Sequence, residues 1–371
     1  MQNSFKTGRL WRSISGAGRF QLRSFLALCS RSLLLGLTFI AVTTAHAALP
    51  PKLLAGDGAT NDRFGNSVAI DVDTAIVGAF QDDSLAGSAY VYERDTNGNW
   101  SHKQKLTASD RAAEDYFGIS VAVHGDTIVV GAYGNDDNGS VSGSAYVFTR
   151  DEFGIWTEKQ KLTASDAEAI DLFGRGVAIH GNTVVIGAYG DDDKGSGSGS
   201  VYIFDYDTPA DTWNQTAKLT ASDGFDNDQL GISVSIHSDT VVAGAHQDDD
   251  NGSGSGSAYV FKRTAGVWSQ EAKLISSDGF DNDWFGLSVS VHSDTALIGA
   301  QQDDTLTGSA YVFTRNAGIW TEQAKLTASD ASAGDFFGNS VSISGNTALV
   351  GAFSDDTVIG TNILDMGAAY V

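Results

Sequence analysis

One sequence unit recurs six times along this chain, and that repetition limits the possible folds more than any other property. A Phe-Gly or Leu-Gly pair begins at Phe64, Phe117, Phe173, Leu230, Phe285 and Phe337, roughly every 52–57 residues, a period of propeller blades or repeat arrays. Lys273–Arg315 is a clear copy: an acidic loop, Phe285-Gly286, two short β-branched runs, a second acidic loop and an aromatic run.

Each unit reads as four strands. The first follows the Phe-Gly pair, as in Ser67–Ile70, Ser120–Val123 and Ser233–Ile236, with small and large residues alternating at the strand period. Gly125-Asp126, Gly181-Asn182, Ser238-Asp239, Ser293-Asp294 and Gly345-Asn346 follow, residues that tolerate the left-handed backbone of tight hairpins. The second strand, Thr127–Ala132 and its equivalents, ends in Gly-Ala. An acidic Gly/Ser-rich loop leads to an aromatic third strand such as Ala258–Phe261. The fourth starts at Trp100, Trp156, Trp213, Trp268 or Trp320 and ends in Lys-Leu. Four antiparallel strands per period predict an all-β propeller with six blades, a truncated seven-bladed ring being the alternative. A calcium-loaded solenoid, suggested by Asp191–Gly199, requires a nine-residue repeat that the sequence lacks.

Lys52–Asp57 matches Lys105–Asp110, the end of a fourth strand, while Ala369-Tyr370-Val371 matches a third strand. The pattern therefore predicts ring closure by strand addition. Pro50 and Pro51 lack ladder donors, so this closing strand suits only an edge.

Phe-Gly, Gly-Ala and Gly-Ser-Ala-Tyr-Val-Phe together resemble the FG-GAP repeat of integrin α-subunit propellers, over nearly all of residues 52–371. The pairs run Phe64-Gly65 with Gly78-Ala79, Phe117-Gly118 with Gly131-Ala132, and Phe285-Gly286 with Gly299-Ala300. The resemblance implies a propeller serving adhesion or ligand binding. Two features depart from it. The Pro usual after Gly-Ala is replaced by Phe80, Tyr133, Tyr189, His246, Gln301 and Phe353. The family's Asp-rich calcium loop between first and second strands is a two-residue turn here, so calcium does not carry over at that position.

Residues 1–47 differ in chemistry from the rest. They hold six basic residues, no acidic one, an apolar run from Leu33 to Val42 and Ala45-His46-Ala47. This is the pattern of a secretory signal peptide cleaved after Ala47, leaving a single propeller domain at 48–371; an uncleaved anchor is the alternative, though the apolar run is short for a bilayer. Cys29, the one cysteine, goes with the peptide, so the mature chain has no disulfides. It keeps 17 Lys and Arg against 46 Asp and Glu, a formal charge of about −29. Nucleic acid and anionic membranes are thus excluded as natural partners. An extracellular protein or glycan ligand fits better, and the sequence does not bear on oligomeric state.

Strand alternation sends the loop before the first strand and the loop between second and third strands to one face. Those loops carry Asp136, Asp137, Asp191, Asp192, Asp193, Asp223, Asp226, Asp228, Asp248, Asp249, Asp250, Asp278, Asp281, Asp283, Asp303 and Asp304. Oxygen-only donors on Gly-rich loops suit Ca²⁺; the alternative is a solvated acidic surface that aids solubility. His124, His180, His237 and His292 share one repeat position, with Asp71 and Ser344 completing the set, and are read as polar residues before a turn rather than as a metal site. Trp and Tyr recur in register, which favours blade packing over glycan stacking. No Ser-His-Asp or Cys-His arrangement can be assembled, and no catalytic residue is assigned. The expectation is a secreted or cell-surface binding module with an acidic face that Ca²⁺ would order. Alternatives are a carbohydrate lyase or hydrolase using that face, or a structural ring. Leu230 and the longer loop Thr357–Met366, with Asp365, are the irregularities such an enzyme would exploit.

Overall fold

The computed structural model describes residues 52–359, 362–365 and 367–371, so the expected signal peptide at 1–47 and its cleavage site lie outside the described residues. The described chain is an all-β propeller of six blades. Blade one comprises Val68–Asp71, Thr74–Ala79, Ser88–Arg94 and Trp100–Leu106, hydrogen-bonded in chain order. Blades two to five repeat this meander from Ser120–His124, Phe173–His180, Ser233–His237 and Phe285–His292. Blade six pairs Phe337–Ser344, Thr347–Ala352 and Ala368–Tyr370, and its longer loop forms an extra hairpin, Asp356–Ile359 with Asn362–Asp365.

The expected turns form as their residues dictate. Gly125, Gly181, Ser238, Ser293 and Gly345 all take φ between 55° and 58°. Blade one places Val72 there at φ 50°, a position that costs a β-branched residue backbone strain.

Adjacent blades share a core. Phe117 is fully buried among Ile76, Val91 and Leu106 of blade one and Val121, Tyr146 and Phe148 of its own blade. It meets Tyr146 edge-on at 5.5 Å, and Phe173, Phe285 and Phe337 repeat that contact in their blades. The Gly of the Gly-Ala pair permits the approach. A Cβ at Gly78, Gly131, Gly187, Gly244 or Gly299 would lie only 1.7–2.0 Å from the carbonyl oxygen of the glycine after the next blade's Phe or Leu. Ser67, Ser120, Ser233 and Ser288 donate hydroxyl hydrogen bonds of 2.8 Å to those same carbonyls, although Gly176 replaces the serine in blade three. First strands line the axis, where residues from all six blades surround a cavity of about 390 Å³.

Closure by strand addition is not what the structure shows. Residues 52–55 form no strand, and no ladder joins them to Ala368–Tyr370. They pack on blade one instead. Leu53 and Ala55 lie against its aromatic cluster, Tyr92 Oη donates to the Leu54 carbonyl at 2.7 Å, and Tyr90 Oη donates to Asp57 at 2.9 Å. This is the place a preceding blade's last strand takes elsewhere. The fragment sits where a preceding blade's fourth strand would, but it forms no strand and no third strand lies beside it.

Candidate functional site: the acidic face

The two acidic loops of each repeat meet at one end of the propeller, and a lysine joins them. In blade four Lys273 Nζ lies 2.9 Å from Asp223, 2.8 Å from Asp248 and 2.6 Å from Asp250. Asp223 follows the last strand of blade three, while Asp248 and Asp250 come from blade four's own second loop, so the knot spans two blades. Tyr259 Oη donates to Asp223 at 3.0 Å and Asp248 at 2.8 Å, and the ammonium sits 5.1 Å above the Tyr259 ring. Blade three repeats the knot with Lys218, Asp166, Asp191, Asp193 and Tyr202. Blade five does so with Lys325, Asp278, Asp303, Asp304 and Tyr311. In blade two Lys161 holds Asp110 and Asp137 while Asn135 stands at the buried position. In blade one Lys105 holds Asp57 and Asp82 closely and Asp83 at 3.7 Å, the last also paired with Arg111.

Local geometry explains the lysine. It precedes the leucine that ends the fourth strand; alternation turns Leu274 into the core and Lys273 out over the Tyr face. Burial pulls the Lys273 ammonium down, but the three carboxylates that accept its hydrogen bonds outweigh this and leave it above its ordinary value. Burial raises Asp223, and Lys273 reverses the direction, so Asp223 ends below the ordinary carboxylate range. The Tyr259 hydroxyl is pushed up, first by burial and then by Asp248.

The other predicted carboxylates shape loops. Asp136, Asp192 and Asp249 accept backbone N–H groups five residues ahead at 2.6–2.7 Å. Asp226 and Asp281 accept the amides of Ser196 and Ser253 at 3.1 Å, tying the loop that enters one blade to the preceding blade's loop. Asp228 and Asp283 are buried and accept the amides of Phe225 and Phe280 three residues back, at 2.7 and 2.6 Å. Burial, reinforced by Asp248 and Asp303, pushes Asp228 and Asp283 up to about 6, and Asp171 does the same beside Asp191.

Three carboxylates around one ammonium leave each complete knot net negative, and its outer member is well exposed (Asp250 at 56 %, Asp304 at 63 %). A lysine stands inside each complete knot, and beside that of blade three a cavity of about 170 Å³ is lined by Asp166, Glu168, Asp171, Asp191, Asp192, Asp193 and Lys218. Among the described residues no three His, Cys, Asp or Glu side chains are disposed to hold a metal ion.

The sequence reading overlooked this lysine series. The signal was available, since Lys105, Lys161, Lys218, Lys273 and Lys325 recur one residue before a buried or half-buried leucine. At the opposite end, His124, His180, His237 and His292 form a continuous row of rings tilted 39–50° to one another, with neighbouring centroids 4.9, 4.8 and 4.5 Å apart. Burial, and then the neighbouring imidazoles, hold His180 and His237 below the ordinary histidine value. His246, in a place where the integrin-type repeat has Pro, is buried edge-on against Trp284 and pushed down to about 4 by burial.

A search of the curated proteins finds no match for this chain. The family model of the FG-GAP repeat matches at residues 51–92, 100–148, 156–204, 213–261, 268–313 and 320–371, in register with the six blades. These segments take in most of the chain and nearly all of the propeller, so the protein belongs to the FG-GAP repeat family.

Proposed function

We propose that this propeller is an exported binding module, secreted or held at the cell surface, which engages an extracellular protein or glycan through its acidic face. The observation that carries the reading is the knot of three carboxylates on one lysine, repeated in blades three, four and five. It leaves exposed negative charge along one end of the propeller. Such a field favours cationic groups and speeds their encounter. Ca²⁺ belongs to this reading as an ion added to the outward carboxylates, where it would bridge the propeller to an oxygen-rich ligand.

The test is thermal melting of the mature chain in Ca²⁺ and in NaCl at equal ionic strength, followed by a glycan-array screen with and without Ca²⁺. An ion that binds the folded state raises stability by mass action, about 2.7 kcal/mol for one site at 100 times its dissociation constant. Asp250→Asn should weaken that response. Equal shifts in the two salts would mean that the ring is screened surface and the calcium component is wrong. Export is checked separately, by mass spectrometry of protein from the medium, with Ala48 expected as the first residue. An intact Met1 would refute cleavage.

A further inference from the structure

The residue that follows each Phe-Gly or Leu-Gly pair faces the propeller axis, and at one blade it breaks the pattern of the others. Asn66, Ile119, Arg175, Ile232, Leu287 and Asn339 hold this position in blades one to six, and all six line the axial cavity of about 390 Å³. A cavity of that size takes a small molecule. Arg175 is the one charged side chain in its wall among the described residues. Its neighbours from blades two and four, Ile119 and Ile232, are buried and offer a guanidinium no polar partner.

The other described arginines are all engaged. Arg94, Arg111, Arg150, Arg263 and Arg315 each pair with an acidic side chain, and Arg63 donates to Gln81. Arg175 is half-buried, yet among the described residues it makes neither an ion pair nor a side-chain hydrogen bond, in a chain with 46 Asp and Glu. A cation held against apolar walls costs free energy unless an anion or water answers it.

Further departures from the repeat gather at the same contact, between blades three and four. Gly176 stands where Ser67, Ser120, Ser233 and Ser288 donate to the next blade's glycine carbonyl. Packing does not demand glycine there, since an added Cβ would meet nothing nearer than 3.4 Å. The missing side chain leaves room beside Arg175 and leaves the Gly231 carbonyl without that hydroxyl. Leu230 replaces the usual Phe of blade four. His246, also of blade four, is buried and its Nδ1 has no hydrogen-bond partner among the described residues. Burial lowers this imidazole, and Arg175 is close enough for its charge to lower it further.

We propose that the axial cavity binds a small organic monocarboxylate, the carboxylate on the Arg175 guanidinium and an apolar body against Ile119, Ile232 and Leu287. One cation matches one negative charge, and a guanidinium holds a carboxylate through two parallel hydrogen bonds. The surrounding negative field disfavours polyanions. Salt screens that field over about 8 Å at physiological ionic strength, so the short contact at Arg175 decides for a single carboxylate. This site is separate from the acidic face and does not depend on a ligand there.

Calorimetric titration of the 371-residue chain with hexanoate, hexanamide and inorganic phosphate tests the proposal. Hexanoate should bind at millimolar concentration or below, at least tenfold more tightly than hexanamide or phosphate. Arg175→Asn installs the residue found in blades one and six, so the chain should melt normally while its hexanoate affinity falls at least tenfold. Leu287→Trp narrows the cavity with the cation in place and should weaken hexanoate as well. Phenylglyoxal modification of Arg175, followed by mass spectrometry, gives a second readout: hexanoate should slow it and hexanamide should not. Hexanoate binding no tighter than hexanamide, or undiminished in a folded Arg175→Asn chain, would overturn the proposal. Phosphate bound as tightly as hexanoate would also overturn it, by showing a bare anion site with no apolar seat.

Discussion

Replacing Asp228 by Asn should stabilise this protein at neutral pH and do much less at low pH. Asp228 is 5 % exposed, lies beside the Asp248 carboxylate and is pushed up to about 6 from an ordinary 3.8. Because the folded-state value is raised, the unfolded chain ionises more readily, and this group reduces stability increasingly as pH rises from about 4 to above 6. Taking the two values at face value, linkage gives a penalty of about 3 kcal/mol at pH 7.5 and about 1 kcal/mol at pH 4.5. Asn keeps the acceptor for the Phe225 amide and removes the charge. Urea unfolding of parent and variant at each pH should thus show a gain larger by about 2 kcal/mol at pH 7.5 than at pH 4.5. The comparison must be made at each pH, because His246, pushed down to about 4, works the other way: its stabilising effect is lost as pH falls from about 6.5 toward 4. An equal effect at both pH values, or a loss at pH 7.5, would refute the claim that Asp228 is a buried, strained carboxylate.

Phe285, fully buried between blades four and five, should cost about 3–5 kcal/mol on replacement by Ala; a loss under about 1 kcal/mol in denaturant unfolding would place it outside the interblade core. Lys273→Met removes the ammonium from three carboxylates, two of them about half exposed, and should cost about 2–3 kcal/mol, less than a fully buried pair. Added NaCl should recover part of that loss, and a salt-independent loss would mean that packing over Tyr259, not charge, is what the lysine supplies.

The fold was readable because its signals are local and repeated. Phe-Gly, the turn pairs and the Gly-Ala strand ends each act within a few residues, and six copies make accident implausible. The acidic face was readable in part. Alternation alone placed both loops at one end, but Asp223 and Asp250 meet at Lys273 only through the stacking of one blade on the next. Net charge counts treat carboxylates as one population, whereas the structure divides them into lysine ligands, loop braces and buried acids. The unmade closure failed for a related reason. Lys52–Asp57 carries the residues of a fourth-strand end without forming a strand, and no residue in it encodes the angle between blades, which is set by side-chain volumes and glycine contacts summed over the whole ring.

Blades one and six do not pack on each other, since Val68 and Ile70 of blade one are 68 % and 65 % exposed and Leu349 of blade six 45 %, and this gap changes how residues 52–371 should come apart. A closed circle has no ends, so every blade is held on both flanks and the structure must melt as a whole. Here blades one and six each lean on a single neighbour, and the propeller behaves as a short linear stack bent into an arc, its stability a sum of unit and neighbour contributions. Such a stack frays from its tips. Amide hydrogens of Val350 and Tyr370, though paired in a ladder, should exchange earlier than those of Val185 and Ile203 in the middle of the arc. The most solid part of the molecule is then blades three and four, half a ring away from the gap, and the two ends of the arc can separate or approach without breaking any interface between them.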